Sequence, residues 1–435
     1  MNLRNPKQDN SVRRGRSGWY QYYAGFSANF VLDALSAAEA EPGVNLVLDP
    51  WNGGGTTTEV AAQQGFDAYG FDLNPVMIIV AKARTLRPDI RMSLVSLWED
   101  ILLRAETVDV TFKNEPLLTW LGEDTAASIR RMEIAIQTVL IDAKSYQPLG
   151  TALSLSHVSS LAAFFYVALF KMLRTAVKSF RSSNPTWIKS AVTLDERINI
   201  PRITLKKMAR DLVKNMCQDL ALETSQAARD TSPRTNINIE VASSCSLPMR
   251  KGSVDVVVTS PPYCTRIDYV VKTGPELALL GVGGSSVLRC LREGMIGTPT
   301  ISDELPSRSP AWGKACSKLL NRVSRHSSRA SKSYYLKTLI QYFDGMCKSL
   351  GEIDRVLARK GEAFFVIQDS YYKEIHMDLA KILTEMAANV GWRCDSRLDF
   401  ESTRTMVGVN RGARLYNNPP KPALETVLHF AKLAT

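Results

Sequence analysis

The stretch Leu46-Val47-Leu48-Asp49-Pro50-Trp51-Asn52-Gly53-Gly54-Gly55-Thr56-Thr57 decides how this chain folds. A short apolar run ends in an acid, a glycine-rich turn follows, and the residues after it read as a helix. In an open α/β sheet, ligands bind at such a place, the carboxyl end of a strand where a glycine turn enters a helix. Glycines let the backbone approach a ligand closely, and a helix N-terminus offers free N–H groups and a positive dipole to a carboxylate. Further on, Phe71-Asp72-Leu73-Asn74-Pro75 ends a second apolar run, Ala68 to Phe71, with a carboxylate placed to accept hydrogen bonds from ribose hydroxyls. Asp49, Trp51, Gly53, Gly55, Thr56, Asp72 and Leu73 together suit a nucleoside with a small polar tail. The same glycines would also serve a plain tight turn, and the identity of the nucleotide stays open at this point. The chain has no G-x-x-x-x-G-K-[ST], which argues against an ATPase.

Outward from that stretch, the strand–turn–helix alternation over Asn45 to Arg84 predicts a doubly wound α/β domain. It then breaks off. Ser128 to Leu140, Val158 to Phe180 and Leu205 to Ala227 carry apolar residues at three- and four-residue spacing and predict helices. The alternation resumes with strands at Ile237 to Val241 and Val254 to Val258, directly followed by Thr259-Ser260-Pro261-Pro262-Tyr263. After glycine-rich Gly281 to Gly284, a basic stretch carries Arg289, Arg292, Arg308, Lys314, Lys318, Arg322, Arg325, Arg329 and Lys332, with Ser324 to Ser333 reading as flexible. A helix over Tyr335 to Ala358, a buried strand at Ala363 to Ile367, a helix over Met377 to Val390 and a closing strand at Thr426 to Phe430 complete the pattern. The expected organisation is a catalytic domain in three parts, 1–85, 236–282 and 333–435. A mainly helical insertion at 86–235 and a basic flexible insertion at 283–332 interrupt it.

The Thr-Ser-Pro-Pro-Tyr turn puts a hydroxyl, two prolines and an aromatic ring at the carboxyl edge of a strand. Proline fixes φ and lacks an N–H, so the turn is rigid and its carbonyls are uncommitted acceptors. Such a turn can grip a planar amino group. One N–H goes to the Pro261 carbonyl, a second contact to the Ser260 hydroxyl, and Tyr263 stacks on the ring. An amine held that way loses conjugation with its ring and becomes nucleophilic, so no general base of unusual pKa is needed before attack.

With both motifs on the page, the chain resembles the amino-methyltransferases of DNA, which modify N4 of cytosine or N6 of adenine. The glycine segment resembles their Asp-Pro-Phe-x-Gly-x-Gly-Thr-Thr loop, with Trp51 in the Phe position. Asp72 matches their ribose-binding acid, and Ser260-Pro261-Pro262-Tyr263 their catalytic [S/N/D]-P-P-[Y/W] motif. Tyr22 to Phe30 resembles the lead-in that closes over the methionine end of the cofactor, which brings in Phe26. Tyr342 to Gly361 and Glu425 to Phe430 resemble later core elements. The resemblance covers roughly half the chain, specifically in the two motifs and loosely elsewhere. It implies a Rossmann-like methyltransferase fold with a mostly parallel seven-stranded sheet plus a mainly helical insertion, and S-adenosyl-L-methionine as cofactor. The Ser form after Thr259 is typical of N4-cytosine enzymes, whereas adenine enzymes more often carry Asp or Asn. One departure stands out. The family's Gly-Asp-Ala, whose acid touches adenine, is matched here by Ala242-Ser243-Ser244, which leaves Ser243 for that contact.

The remaining features bear on partners. Of 435 residues, 45% are hydrophobic and 22% charged, so neither disorder nor a fibre is in question. A net charge of +11 draws the chain to polyanions, nucleic acid first among them. Arg308, Arg322, Arg325 and Arg329, interleaved with serines, are the candidate phosphate contacts, and Arg266, also a candidate nucleic-acid contact, follows the catalytic turn closely enough to line the base pocket. A base in duplex DNA would have to be flipped to reach the site. The helical insertion, with Ser183 to Lys189, is the candidate surface for target recognition or a protein partner. Seven scattered cysteines without a C-x-x-C pair and four dispersed histidines suggest no metal site and fit a reducing cytoplasm. Met1 to Arg16 lacks the apolar core of a signal peptide, and the apolar run Leu161 to Phe170 is too short to span a bilayer. Two further readings share these features: an RNA methyltransferase, and a non-catalytic methyltransferase-like subunit of a defence complex.

Overall fold

A computed structural model describes residues 3–7, 15–21, 25–38, 46–111, 114–141, 146–182, 187–227, 235–264, 267–402 and 423–433. The chain opens with α1 (Ala28–Ala37), β1 (Leu46–Asp49), α2 (Thr56–Gln63), β2 (Asp67–Asp72) and α3 (Pro75–Arg84). Next come α4 (Arg91–Glu106), α5 (Glu123–Leu140), α6 (Ala152–Ser156), α7 (Ser160–Ala176) and α8 (Arg202–Ala227). β3 (Ile237–Val241) and β4 (Val254–Thr259) follow, then α9 (Tyr269–Lys272), α10 (Gly274–Leu279), α11 (Ser285–Gly294), α12 (Gly313–Arg325) and α13 (Leu336–Val356). The last elements are β5 (Leu357–Gln368), the hairpin β6 (Ser370–Tyr372) and β7 (Ile375–Met377), α14 (Leu379–Asn389), β8 (Trp392–Ser402) and β9 (Ala423–Lys432).

Seven of these strands form one sheet in the order β3-β2-β1-β4-β5-β9-β8. β3 through β5 run parallel, while β9 is antiparallel to both β5 and β8. This is the Rossmann-like methyltransferase architecture with a mostly parallel seven-stranded sheet. β1 is short and apolar because both faces of the sheet are covered: Val47 and Leu48 are buried in different core clusters on opposite sides. From β1 the chain steps to β2 on one side and later to β4 on the other. Their carboxyl ends therefore flank a topological switch point.

α3 begins where Asn74 caps it, its side chain accepting from the Val76 N–H, with Pro75 at the first helical position. Val76 to Ala81 are all buried, because α3 is wedged between the sheet and the helices of the insertion. α7 has the same character. Ser160–Phe180 is long and apolar enough to cross a membrane by length and composition, yet Ala162 to Phe170 are buried against α3, α5 and α8. One continuous core joins α3, α4, α5, α7 and α8 to Leu277–Leu280 of the segment after the catalytic turn. These helices thus share one core with the flank of the α/β sheet.

The 283–332 stretch departs from its expectation as a loose insertion. It contains α11 and α12, and α12 buries Cys316, Leu319, Leu320 and Val323, with Trp312 just before it, in the core under α13 and α14. Between Ser324 and Ser333 the buried Ser331 hydroxyl donates to the Val323 carbonyl, tying the turn back to α12. The sequence gives α12 away only as apolar residues at three- and four-residue spacing among lysines and arginines, a pattern its charge obscures.

Candidate active site

The two motifs meet in one cleft at the carboxyl ends of β1, β2 and β4. Its walls include Trp51, Asn52, Gly53, Gly54 and Thr56 from the glycine turn, Asp72 and Leu73 from the end of β2, and Ser260, Pro261 and Pro262 after β4. Phe26 reaches it from the N-terminal side, beside Ser17, Tyr20, Gln21 and Gly25.

The turn is built for closeness. Gly53 and Gly55 have φ of +46° and +81°, and a Cβ on Gly55 would lie 2.7 Å from Ala81 Cβ of α3. Gly55 therefore serves helix packing and turn geometry, and it does not line the cleft. Asp49 is buried too, away from the cleft surface. It accepts from the Thr259 hydroxyl at 2.5 Å, the Thr57 hydroxyl at 2.8 Å and the Trp51 N–H at 3.1 Å. Burial raises its carboxyl to about 6 against the pull of those donors.

Asp72 faces the cleft. Its Oδ2 accepts from the Gly53 N–H at 3.0 Å and its Oδ1 from the Asn74 N–H at 2.8 Å, and desolvation at this position also raises its pKa to about 6. Each oxygen makes one of these bonds and has capacity for another acceptor contact. Asn52, another wall residue, has a buried Nδ2 without a hydrogen-bond partner among the described residues. Arg84 closes the floor, donating to the Gly54 carbonyl at 2.8 Å and pairing with Glu59 at 2.5 Å. A vicinal diol and a polar tail fit this set: a carboxylate with spare lone pairs, an unpaired amide donor, and a glycine turn entering a helix.

On the reacting side, the Ser260 hydroxyl donates to the Val366 carbonyl of β5 at 3.0 Å. Its single proton is thereby committed, and its lone pairs remain as acceptors. The Pro262 carbonyl accepts from the Tyr342 hydroxyl of α13 at 3.1 Å, which anchors the turn from below. Tyr263 is half-buried next to the turn and is not among the cleft walls, whereas Tyr269 is. The strip Gly294-Met295-Ile296 is a further wall, with Gly294 beside Leu73. A Cβ on Gly297, at φ +79°, would come within 2.6 Å of the Tyr263 carbonyl oxygen.

Ser243 lies outside the cleft. Its hydroxyl accepts from the Cys245 N–H at 3.2 Å, closing a small turn, and the neighbours Ala242 and Ser244 supply the wall. Ser244 pairs with the buried Ser349 hydroxyl of α13 at 2.8 Å. Sequence reasoning missed Ser244, Asn52, Arg84 and Tyr20. The only signal for Ser244 was that it sits one place from the residue matched by alignment to the motif.

The arginines divide. Arg266 lies outside the described residues, as do Tyr22 to Ala24 and Ser183 to Thr186. Asp268 pairs with Arg292 at 3.1 Å and caps α9 through the Val271 N–H. Arg308, Arg322, Arg325 and Arg329 are exposed and do not line the cleft, with Arg308 donating to Asn321 at 2.9 Å. Just past α12, His326 is bonded to Glu374 between β6 and β7 at 3.0 Å. That hairpin directly follows β5, so the carboxyl end of α12 sits at the same edge of the sheet as the Ser260 turn.

No family model matches the chain. It is 24% identical over 411 residues to the Type II methyltransferase M.AvaI of Nostoc sp., covering 87% of this chain and 80% of that protein. To the Type II methyltransferase M.MvaI of Kocuria varians it is 23% identical over 372 residues, 80% of this chain and 75% of the other. To the Type II methyltransferase M.BsoBI of Geobacillus stearothermophilus it is 22% identical over 297 residues, 64% and 55% of the two chains. These similarities to Type II methyltransferases cover 64–87% of the chain.

Proposed function

We infer that this chain is an S-adenosylmethionine-dependent DNA methyltransferase that modifies an exocyclic amino group, N4 of cytosine. The observation that carries this reading is the meeting of Asp72 and the Gly53–Gly54 turn with Ser260-Pro261-Pro262 in a single cleft. The similarity to Type II methyltransferases supports it.

Asp72 accepts from the ribose hydroxyls, and the glycine turn with the N-terminus of α2 receives the carboxylate of the amino-acid tail. Leu73, Phe26 and Trp51 enclose the apolar parts. When bound, the cofactor supplies an electrophilic methyl group on sulfonium. The chain's own work is to present the amine. Pro261 through its carbonyl and Ser260 through its remaining lone pairs accept the two amino protons, which turns the nitrogen lone pair out of conjugation, and Tyr263 stacks on the ring. The extra proton on the methylated nitrogen is acidic and leaves to water. The flipped base enters from duplex DNA, whose phosphates are held by Arg308, Arg322, Arg325 and Arg329. Residues 86–235 serve recognition or a partner, and 283–332 the nucleic acid.

Incubation with methyl-labelled cofactor and unmethylated DNA, followed by nucleoside analysis, tests this. N4-methylcytosine is expected. N6-methyladenine would move the target base, transfer to RNA would favour an RNA enzyme, and no transfer to either would favour a non-catalytic subunit.

A further inference from the structure

Tyr20 lines the cleft from the N-terminal side, and the helical insertion holds it there. Its ring packs edge-on against Phe170 of α7 with centroids 6.3 Å apart, and the Arg174 guanidinium of α7 lies over it at 4.5 Å. That guanidinium donates both to the Tyr20 hydroxyl and to Glu276 Oε1 of α10, and reaches the Lys272 carbonyl at 3.4 Å. The Tyr20 hydroxyl in turn donates to Glu276 Oε1 at 3.2 Å. Glu276 is fully buried, and its Oε2 has no hydrogen-bond partner among the described residues. One residue earlier, Trp19 is fastened to the same insertion: its Nε1 donates to Asp219 of α8 at 3.0 Å and its ring meets Phe164 of α7 at 5.4 Å. Lys272 and Thr273, just before Glu276, are themselves cleft walls, and Asn74 Nδ2 donates to Thr273 Oγ1 at 3.0 Å.

These contacts give α7 a task other than reading DNA. A part-buried guanidinium, shared between one aromatic wall and the fully buried acid behind a second wall, stays paired, because leaving the buried Glu276 carboxylate unpaired is costly. We propose that Arg174 is a positioning residue for the cofactor: through Tyr20 and Glu276 it fixes the part of the cleft wall formed by Tyr20, Lys272 and Thr273, which makes the helical insertion part of the cofactor site. This rests on the cofactor assignment above. Arg174 touches neither cofactor nor base.

Calorimetric titration with S-adenosylhomocysteine, with a melting curve for each protein, tests it without relying on turnover. Removing one charge leaves the other buried, so the main variant is the double Arg174→Met, Glu276→Gln, which neutralises both at similar volume. It should melt close to the wild type and yet bind the ligand at least about tenfold more weakly, a loss of ~1.4 kcal/mol. Tyr20→Phe, which loses a single hydroxyl and keeps the ring, should also bind more weakly at unchanged melting temperature, and it decides the matter if the double variant melts low. Arg174→Lys should fall between wild type and double variant, since lysine keeps the charge and loses the fork. Wild-type affinity in both the double variant and Tyr20→Phe would overturn the proposal while leaving the cofactor reading intact. A wild-type chain that binds no S-adenosylhomocysteine would overturn both.

Discussion

Thr259 donates its hydroxyl to Asp49 Oδ1 across 2.5 Å, joining the last residue of β4 to the last residue of β1. The bond ties the strand carrying the reacting turn to the strand carrying the glycine turn, and Asp49 uses its other oxygen on Thr57 at the start of α2. Thr259→Val keeps the shape and removes the donor. A hydrogen bond to a buried carboxylate contributes about 2 kcal/mol, so the variant should lose that much in chemical denaturation, and its methyl transfer should fall further than its cofactor affinity. Thr259→Ser should restore both. Unchanged stability in the valine variant would mean that Asp49 is satisfied by Thr57 and Trp51 without help.

Asp72 in the cleft and the buried Asp49 behind the glycine turn set a pH dependence. Asp49 and Asp72 are raised from 3.8 to about 6 by desolvation, so between those values the folded chain binds more protons than the unfolded one. Their desolvation cost is full above pH 6 and is relieved as pH falls toward 3.8, so these two groups favour the fold on mild acidification. Ligand binding runs the opposite way, because Asp72 must be ionised to accept two hydroxyls. S-adenosylhomocysteine affinity should fall below about pH 6, approaching a tenfold loss per unit, over a range where the melting temperature shows no parallel drop from these acids. Asp72→Asn should bind weakly and with a flat profile. A wild-type profile that is flat from neutral pH down to 5 would remove Asp72 from the site.

Ser260 separates binding from chemistry. Ser260→Ala loses the acceptor for the amine and the link to Val366 without touching the nucleoside side of the cleft. Losing one aligned hydrogen bond to a reacting group costs on the order of 10²-fold in rate. Single-turnover methylation should slow by that order with S-adenosylhomocysteine affinity unchanged, and equal loss in both would make Ser260 a structural residue.

The exposed arginines make a claim about salt. If Arg322 and Arg325 each neutralise a phosphate, replacing either with Ala should weaken binding to any duplex uniformly and lower the slope of log affinity against log salt by about 1. Cofactor affinity should not move. An unaltered slope would show that this basic face of α12 is a solvated surface.

What was legible in the sequence was local. β1 with its glycine turn, Asp72, and the Ser-Pro-Pro-Tyr turn are each a few consecutive residues readable from strand, glycine and proline geometry, and they lie at the ends of the strands the pattern names, with Asp72 and Ser260 to Pro262 among the cleft walls and Asp49, Gly55 and Tyr263 outside them. β8 was not legible. It is the edge strand, and Arg393, Asp395, Arg397 and Asp399 alternate along its exposed side and pair among themselves, so the run reads as a polar loop. Tyr20, Arg174 and Glu276 were hidden for a different reason: their contacts span between 102 and 256 residues, and no spacing rule connects them. Ser243 shows the cost of carrying a motif position over by alignment, because its hydroxyl closes a small turn to the Cys245 N–H and the cleft wall is formed by its neighbours Ala242 and Ser244.

Gly297 provides the sharpest test of whether the reacting turn needs its roof. Its backbone is left-handed at φ +79°, and an added Cβ would meet the Tyr263 carbonyl oxygen at 2.6 Å. That oxygen belongs to the main chain of the turn, so relief requires moving either the Gly294–Gly297 strip or the Pro262–Tyr263 peptide. Tyr342 holds that peptide by the Pro262 carbonyl, and Ile296 is packed within 2.9 Å of where a Gly345 Cβ would be, which leaves the strip little room on the α13 side. Gly297→Ala should therefore cost about 1–2 kcal/mol of stability from backbone strain. It should also displace the amine acceptors by a fraction of an ångström, lowering the methylation rate by at least about tenfold. Asp72 is held by the Gly53 and Asn74 N–H groups rather than by the strip, although Leu73 lies 3.8 Å from where a Gly294 Cβ would be, so S-adenosylhomocysteine affinity should fall less than the rate. The comparison of single-turnover rate with ligand affinity in this one variant separates the two halves of the site, and equal loss in both would show that the strip shapes the nucleoside pocket as much as the turn.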